Sequence, residues 1–213
     1  MTVTDIKQQK NDKSRYSVYI DGNYEFSLIM EDILYFRLKI GEPISEDTYR
    51  YITETTLYIK AQNAALKFLG YKMRTEKEVL DKLIKEQYSE EIIARVMEFL
   101  IKYDYINDRE YCRRYIKETL KLRPKGIYMI KSELKAKGID EDTADEALEE
   151  AQIDELGVAE MLLEKKYEGF AEMDQKELTR VYGYLQRRGF SFGITKEAVA
   201  ALAEKRISYY NKA

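Results

Sequence analysis

Three stretches of the chain, each 51 residues after the one before, share one pattern of apolar positions with no gap. They read KLIKEQYSEEIIARVM from Lys82, ELKAKGIDEDTADEAL from Glu133 and YLQRRGFSFGITKEAV from Tyr184. A period of this length is typical of a repeat protein, in which each copy is one supersecondary unit. The apolar positions that coincide are Val79/Ile130/Val181, Leu83/Leu134/Leu185, Tyr88/Ile139/Phe190, Val96/Ala147/Ala198 and Met97/Leu148/Val199.

Each repeat is predicted to hold three helices, because its apolar residues recur about every 3.6 positions. Thr75 and Glu78 have the spacing of a capping box, and Ser89, Asn107 and Asp140 are further predicted N-caps. One such unit buries too little apolar surface alone, so stacked neighbours should complete the core of an elongated, curved array. The helices of the first and third repeats are expected near Tyr58–Leu69, Glu76–Glu86, Glu90–Lys102, Asp154–Tyr167, Asp174–Arg188 and Thr195–Arg206.

The chain before the repeats alternates in the manner of strands. Residues 16–20 place apolar side chains on one face, Asp21-Gly22 suits a type I′ turn, and residues 24–28 continue the alternation. Val3 to Gln8 is a candidate third strand, and Ser45 is a predicted N-cap. The predicted fold class is mainly α, with three tandem three-helix repeats behind a small domain that contains a β-hairpin. The predicted divisions are 1–57, 58–107, 108–153 and 154–213.

Composition excludes most enzyme chemistry. The chain has no histidine and one cysteine, Cys112, so it lacks Ser-His and Cys-His pairs and the ligands of the usual zinc sites. It also lacks both glycine-rich phosphate loops. We therefore expect no enzyme activity and no cofactor. A hydrolase that uses carboxylates stays open as an alternative, although the acidic run EDTADEALEEAQIDE reads as a solvated helix face.

The same composition predicts a cytoplasmic protein. No apolar run approaches the roughly 20 residues that cross a bilayer, and MTVTDIKQQKNDKSR lacks the apolar segment of a signal peptide. A single cysteine agrees with a reducing compartment. No membrane partner is expected, and a monomer is the simplest oligomeric state.

Two consecutive segments of the repeat region resemble a known family. RTEKEVLDKLIKEQYSEEIIARVMEFLIKYDYINDREYCRRYI, followed by PKGIYMIKSELKAKGIDEDTADEALEE, resembles the RecX family of bacterial regulators of the RecA recombinase. The family pairs an L-x-x-K-G-[apolar] turn with a following helix, as Leu134 to Ile139 does, and YLQRRGFSFGITKEAV is similar to its closing segment. The first repeat departs from this pattern, with Gln87 in place of the glycine.

The resemblance implies a regulator and not an enzyme. Its implied partner is the RecA filament on single-stranded DNA, along whose groove family members lie, and its implied effect is inhibition of the RecA ATPase, strand-exchange and co-protease activities. DNA, single- or double-stranded, is a second candidate partner. The resemblance covers about residues 58–206, and the strand-rich segment before them resembles an extension of some Gram-positive members.

Charge is strongly segregated along the chain, although the net charge is only −3. Residues 108–138 hold ten basic and four acidic residues (+6), 139–177 three and fifteen (−12), and 178–213 seven and two (+5). The predicted helix after Asn107 carries basic residues four apart, which share one face. The candidate contacts to RecA or DNA are Arg113, Lys117, Lys121, Arg123, Lys125, Arg187 and Arg188.

Other interpretations of these charges stay open. The basic residues could form an ordinary solvated face, or bind nucleic acid directly without RecA, which would make binding fall with salt. The acidic block, which includes Asp142, Asp145 and Glu149, could face the basic DNA-binding loops of RecA and imitate DNA there. Phe190, Tyr111 and Tyr115 are interpreted as packing residues and not as platforms for bases.

Overall fold

The computed structural model describes residues 1–167 and 174–210 and divides the chain into two compact units. Unit 1 is Met1–Ile106 and unit 2 is Asn107–Ala213. Unit 1 holds a sheet and the first repeat, and unit 2 holds the second and third repeats.

The sheet of unit 1 has three antiparallel strands in the order β1-β2-β3. The turn between β2 and β3 has positive φ at both Asp21 (48°) and Gly22 (89°), as a type I′ turn requires. Val18 on β2 pairs with Phe26 on β3, and both side chains are buried. The predicted hairpin and third strand are confirmed. The strands are β1 Val3–Gln8, β2 Arg15–Ile20 and β3 Asn23–Ile29.

Three helices of unit 1 begin at predicted caps, which are Ser45, Thr75 and Ser89. The Ser45 side chain accepts a hydrogen bond from the Thr48 backbone N–H, and Thr75 and Glu78 close a capping box. A short π-helical segment, Ile52–Thr56, follows α2 directly and leads into α3 without a break. The helices are α1 Met30–Tyr35, α2 Glu46–Tyr51, α3 Leu57–Leu69, α4 Glu76–Lys85 and α5 Glu90–Lys102.

One hydrophobic core joins the sheet to the first repeat. Val18 and Leu28 of the sheet belong to the same buried cluster as Leu83 and Leu100 of the repeat. A side-chain bond from Gln9 to Gln87 (3.0 Å) adds a polar link between the end of β1 and the turn after α4. The sheet and the first repeat are therefore one packed body, and the predicted division between residues 57 and 58 stays a prediction.

Unit 2 repeats the three-helix arrangement twice. Asn107 and Asp140 cap their helices as predicted, by accepting from the backbone N–H groups of Glu110 (2.9 Å) and Thr143 (2.8 Å). Each repeat buries its own apolar cluster, in place of the continuous core expected from stacking. The helices are α6 Asp108–Leu122, α7 Ile127–Ala136, α8 Glu141–Glu150, α9 Glu155–Tyr167, α10 Gln175–Gln186 and α11 Phe192–Tyr210.

The start of the last helix was predicted wrongly. α11 begins at Phe192 and not near Thr195. Ser191 is the residue that caps it, since its hydroxyl accepts from the Ile194 N–H (3.2 Å) and its carbonyl from the Thr195 N–H (2.9 Å). Thr195 lies inside the first turn with its side chain buried.

The three repeats agree in backbone detail as well as in apolar pattern. After α4, α7 and α10 the chain turns at Gln87, Gly138 and Gly189, whose φ angles are 63°, 87° and 83°. At each turn the next N–H bonds to the carbonyl of Leu83, Leu134 or Leu185, which is the long hydrogen bond of a Schellman motif. The turn then leads the chain back so that the following helix packs against the one before. Of the aligned apolar residues, all but the half-buried Tyr88 are buried.

Candidate functional site

The predicted basic stripe, defined as Arg113, Lys117 and Lys121, lies on the exposed face of α6. The opposite face of this helix buries Cys112 and Ile116. The four-residue spacing therefore does place the three cations on one side of the helix.

Arg113 is held inside its own repeat. Its Nε donates to a carboxylate oxygen of Glu150 on α8 (2.8 Å), and Glu150 also bonds to Arg109. These hydrogen bonds lower the pKa of Glu150 to about 2. Arg113 thus joins α6 to α8, and much of its charge is neutralised before any partner arrives.

Lys117 and Lys121 differ from Arg113 in having no such partner. Both side chains are exposed, and no carboxylate among the described residues lies within ion-pair distance of either. Lys121 is in the last turn of α6, where the helix dipole also favours positive charge. These two lysines are the part of the stripe whose full charge faces outward.

The other four predicted contact residues lie within three residues of a close contact between two glycines, Gly126 and Gly189. The Gly126 N–H donates to the Arg188 carbonyl (2.9 Å). A Cβ on Gly126 would lie 2.3 Å from the Gly189 carbonyl oxygen, and a Cβ on Gly189 would lie 2.4 Å from the Met129 nitrogen. Only glycine fits at either place. We call this contact the glycine junction, and it joins the RPKG loop of the second repeat to the RRGF turn of the third.

The four basic residues at the glycine junction differ in their surroundings. Arg188 donates to the Pro124 carbonyl (3.3 Å), and its guanidinium lies 4.8 Å from the ring centre of Tyr184. Lys125 is half-buried and pairs with Glu133 (2.7 Å). Arg123 and Arg187 are exposed, with no carboxylate partner among the residues that the structure describes.

Exposed apolar side chains near the glycine junction were missed by the sequence analysis. Leu122, Tyr128 and Phe192 are 70%, 69% and 65% exposed. The repeat alignment contains a signal for two of them, because Tyr128 aligns with Lys77 and Phe192 aligns with Glu141. A position that carries a charged residue in another repeat is expected to be exposed. An apolar ring at such a position therefore faces solvent or a partner. Phe190, by contrast, is 4% exposed and belongs to the core, as predicted.

The acidic block is partly neutralised within the second repeat. Lys131 on α7 pairs with both Glu141 (2.8 Å) and Asp145 (2.9 Å) on α8. Asp142 and Glu149 are exposed, without an ion-pair partner in the described part of the chain. The net charge of this segment therefore overstates the negative field that it presents.

Some tyrosines of the chain are packed, and others stay largely exposed. Tyr111 and Tyr115 stack on each other, with ring centres 6.1 Å apart, and the Tyr115 hydroxyl bonds to Glu133. These two rings pack within the repeat, as predicted. Tyr103 and Tyr105 contact Phe99 but stay 60% and 52% exposed, so these two rings are only partly packed.

The Cys112 thiol is not arranged to act as a nucleophile. Burial raises the pKa of the Cys112 thiol to about 11, which keeps it protonated. Over residues 1–167 and 174–210, no group of histidine, cysteine, aspartate and glutamate side chains is arranged to hold a metal ion. The helices in these ranges are also too short or too polar to span a bilayer.

Four sequence models of one family match most of the chain. The RecX N-terminal domain matches residues 1–45, and the first, second and third RecX three-helix domains match residues 61–100, 107–148 and 153–199. Among curated proteins, the regulatory protein RecX of Clostridium acetobutylicum is 36% identical over 90% of this chain and 91% of its own length. That of Bacillus subtilis is 36% identical over 92% and 75%.

Solved structures agree with these sequence matches. A crystal structure of a regulatory protein RecX superposes with a TM-score of 0.63 at 27% identity, over 93% of this chain and 98% of that one. The crystal structure of RecX from Lactobacillus salivarius gives the same TM-score at 31% identity, over 70% and 97%. Repeats, sheet and sequence together show that the chain belongs to the RecX family of regulatory proteins.

Proposed function

We propose that this chain binds the RecA filament on single-stranded DNA and inhibits the ATPase, strand-exchange and co-protease activities of RecA. The observation that carries the proposal is a group of exposed cations in unit 2 that have no carboxylate partner among the described residues, and we call it the row of outward-facing cations: Lys117 and Lys121 on α6, Arg123, and Arg187. Membership of a family of RecA regulators supports it. We propose further that the chain acts as a monomer in the cytoplasm. We also propose that it is not an enzyme, which the naming of its relatives as regulatory proteins supports.

The physical basis is charge combined with a few apolar anchors. A filament on DNA is strongly anionic, so cations that are not engaged inside the protein are attracted to it, and this attraction weakens with salt. Large aromatic side chains buried at the centre of an interface contribute most of its affinity. Tyr128 and Phe192 lie within two or three residues of the glycine junction and suit this role.

Charge reversal of the two outward-facing lysines tests the proposal. We expect Lys117→Glu/Lys121→Glu to weaken binding to filaments, preassembled with a nonhydrolysable ATP analogue, by about tenfold at moderate salt. Arg113→Glu is a poor substitute, because it would place a like charge beside Glu150 and disturb the contact between α6 and α8.

The matched control is Lys165→Glu/Lys176→Glu, which makes the same change of charge at exposed sites on α9 and α10 of the same unit. It should change affinity by less than about twofold, since these two lysines are not part of the proposed surface and salt screens exposed charges. Equal losses for the two double variants would mean that net charge, and not this surface, governs binding.

A second candidate function is direct nucleic-acid binding without RecA, which the same row of cations favours. The two are separated by comparing affinity for the filament with affinity for the bare single strand at one salt concentration. Tighter binding to the filament supports the regulator. Equal or weaker binding to the filament supports the second candidate, provided that Lys117→Glu/Lys121→Glu also weakens binding to the bare strand.

A further inference from the structure

Unit 1 carries a cleft that the RecA proposal does not use. Two adjoining hollows, which share Asp12, Arg15, Lys82 and Glu86, open between the β1–β2 loop, α3 and α4. One extends along α3 to Tyr71, and the other extends across the sheet to Tyr24. We call the two together the Arg15 cleft.

The Arg15 cleft is basic. Two of its lysines are paired, Lys60 with Asp32 (2.9 Å) and Lys82 with Glu86 (2.8 Å). The others with exposed side chains have no carboxylate partner among the described residues, and these are Lys10, Lys67 and Lys85. Its charged lining residues are Lys10, Arg15, Lys60, Lys67, Lys82 and Lys85 against Asp12 and Glu86.

Aromatic rings alternate with these cations. The Arg15 guanidinium lies 5.4 Å from the ring centre of Tyr88, and Tyr24 contacts Tyr19 edge to face at 6.0 Å. Tyr71 follows α3 and is 75% exposed, which leaves nearly the whole ring free to contact something outside unit 1's core. A cleft of this kind has both a field that attracts phosphates and flat faces on which bases stack.

We propose that the Arg15 cleft is a binding site for single-stranded nucleic acid, with Lys67 and Lys85 contacting phosphates and Tyr71 stacking on a base. A duplex would satisfy the cations but keeps its bases stacked on one another, so it cannot use the ring. An acidic peptide would also leave the ring without a base. Lys67 and Lys85 lie in the last turns of α3 and α4, where positive charge also stabilises a helix, but that role does not involve Tyr71.

The test uses the full chain without RecA, so its outcome is independent of the filament proposal. Anisotropy of a labelled oligothymidine is followed over a series of salt concentrations. Each phosphate contact on a single strand contributes about 0.7 to the slope of log affinity against log salt, so Lys67→Gln/Lys85→Gln should reduce the slope by about 1.4. The matched control Lys39→Gln/Lys102→Gln removes two exposed charges of unit 1 outside the cleft and should leave the slope unchanged.

Tyr71→Ala separates stacking from charge. We expect it to weaken binding to oligothymidine about tenfold and to leave binding to an abasic strand of the same length unchanged. Thermal melting by circular dichroism establishes that each variant is folded. The proposal is overturned if the two lysine double variants have the same slope, or if Tyr71→Ala weakens binding to oligothymidine and to the abasic strand equally.

Discussion

At the scale of single residues, one backbone position distinguishes the first repeat from the other two. Gln87, Gly138 and Gly189 all have positive φ, but only the glycines adopt it without steric cost. The Gln87 side chain accepts a hydrogen bond from Gln9 (3.0 Å), which neither glycine could do. In the alignment of the three repeats Gln87 is the exception to the glycine, and the structure shows that the same turn forms with glutamine.

Substitutions at this turn position should change stability in opposite directions in the first and second repeats. We expect Gly138→Ala to destabilise the second repeat by about 1 kcal/mol, because alanine is strained at positive φ. Gln87→Gly should stabilise the first repeat by about 0.5 kcal/mol, since relief of strain slightly exceeds the added entropy of the unfolded chain. Hydrogen exchange of the α7 and α4 amides in urea measures both, and a loss of stability in Gln87→Gly would show that the bond to Gln9 matters more than the strain.

Cys112 should behave as a core residue. Its folded pKa of about 11 lies above the usual value of 9.0, so between these pH values the folded state keeps a proton that the unfolded state loses. The contribution to stability is complete below about pH 9 and is lost as pH rises towards 11. At pH 8 we expect a disulfide reagent to modify Cys112 only in denaturant. Rapid modification without denaturant would contradict its burial.

At the scale of helices and turns, the contact between the second and third repeats depends on the absence of two side chains. Gly189→Ala would drive a Cβ into the Met129 backbone as well as strain φ, so we expect a cost of about 3 kcal/mol. Gly41→Ala is the matched control, because Gly41 has nearly the same φ (84°) with no atom within 4 Å of the added carbon. It should cost about 1 kcal/mol. Thermal unfolding of both variants measures the difference. Similar losses of stability would mean that the glycine junction accommodates the added Cβ at no further free-energy cost.

Helix boundaries could largely be predicted because they depend on local chemistry. Thr75, Ser89, Asn107 and Asp140 each accept a hydrogen bond from an N–H three residues on, so the cap and its partner are close in sequence. The π-helical segment could not be predicted, because the extra residue in one turn does not break the apolar pattern around it.

The candidate surface was less predictable, because ion pairs depend on tertiary contacts. Arg113 and Lys117 look equivalent on a helix drawn from the sequence. Only the packing of α8 against α6 brings Glu150, 37 residues away, to Arg113 and leaves Lys117 outward. The approach of Arg188 to Pro124 across 64 residues is of the same kind.

At the scale of the whole molecule, the chain combines a unit with one shared core and a unit of two separately packed repeats. The first unit carries the Arg15 cleft and the second carries the row of outward-facing cations. Both units present charged and aromatic side chains to solvent. This distribution suits a protein that acts by binding.

The most direct test of the central claim is the ATPase rate of RecA preassembled on single-stranded DNA, titrated with this chain below the RecA concentration at moderate salt. We expect the rate to fall substoichiometrically. Lys117→Glu/Lys121→Glu should require a higher concentration for the same fall, while Lys165→Glu/Lys176→Glu should match the unaltered chain. A rate that stays unchanged with the folded chain in excess over RecA would contradict the proposed regulation.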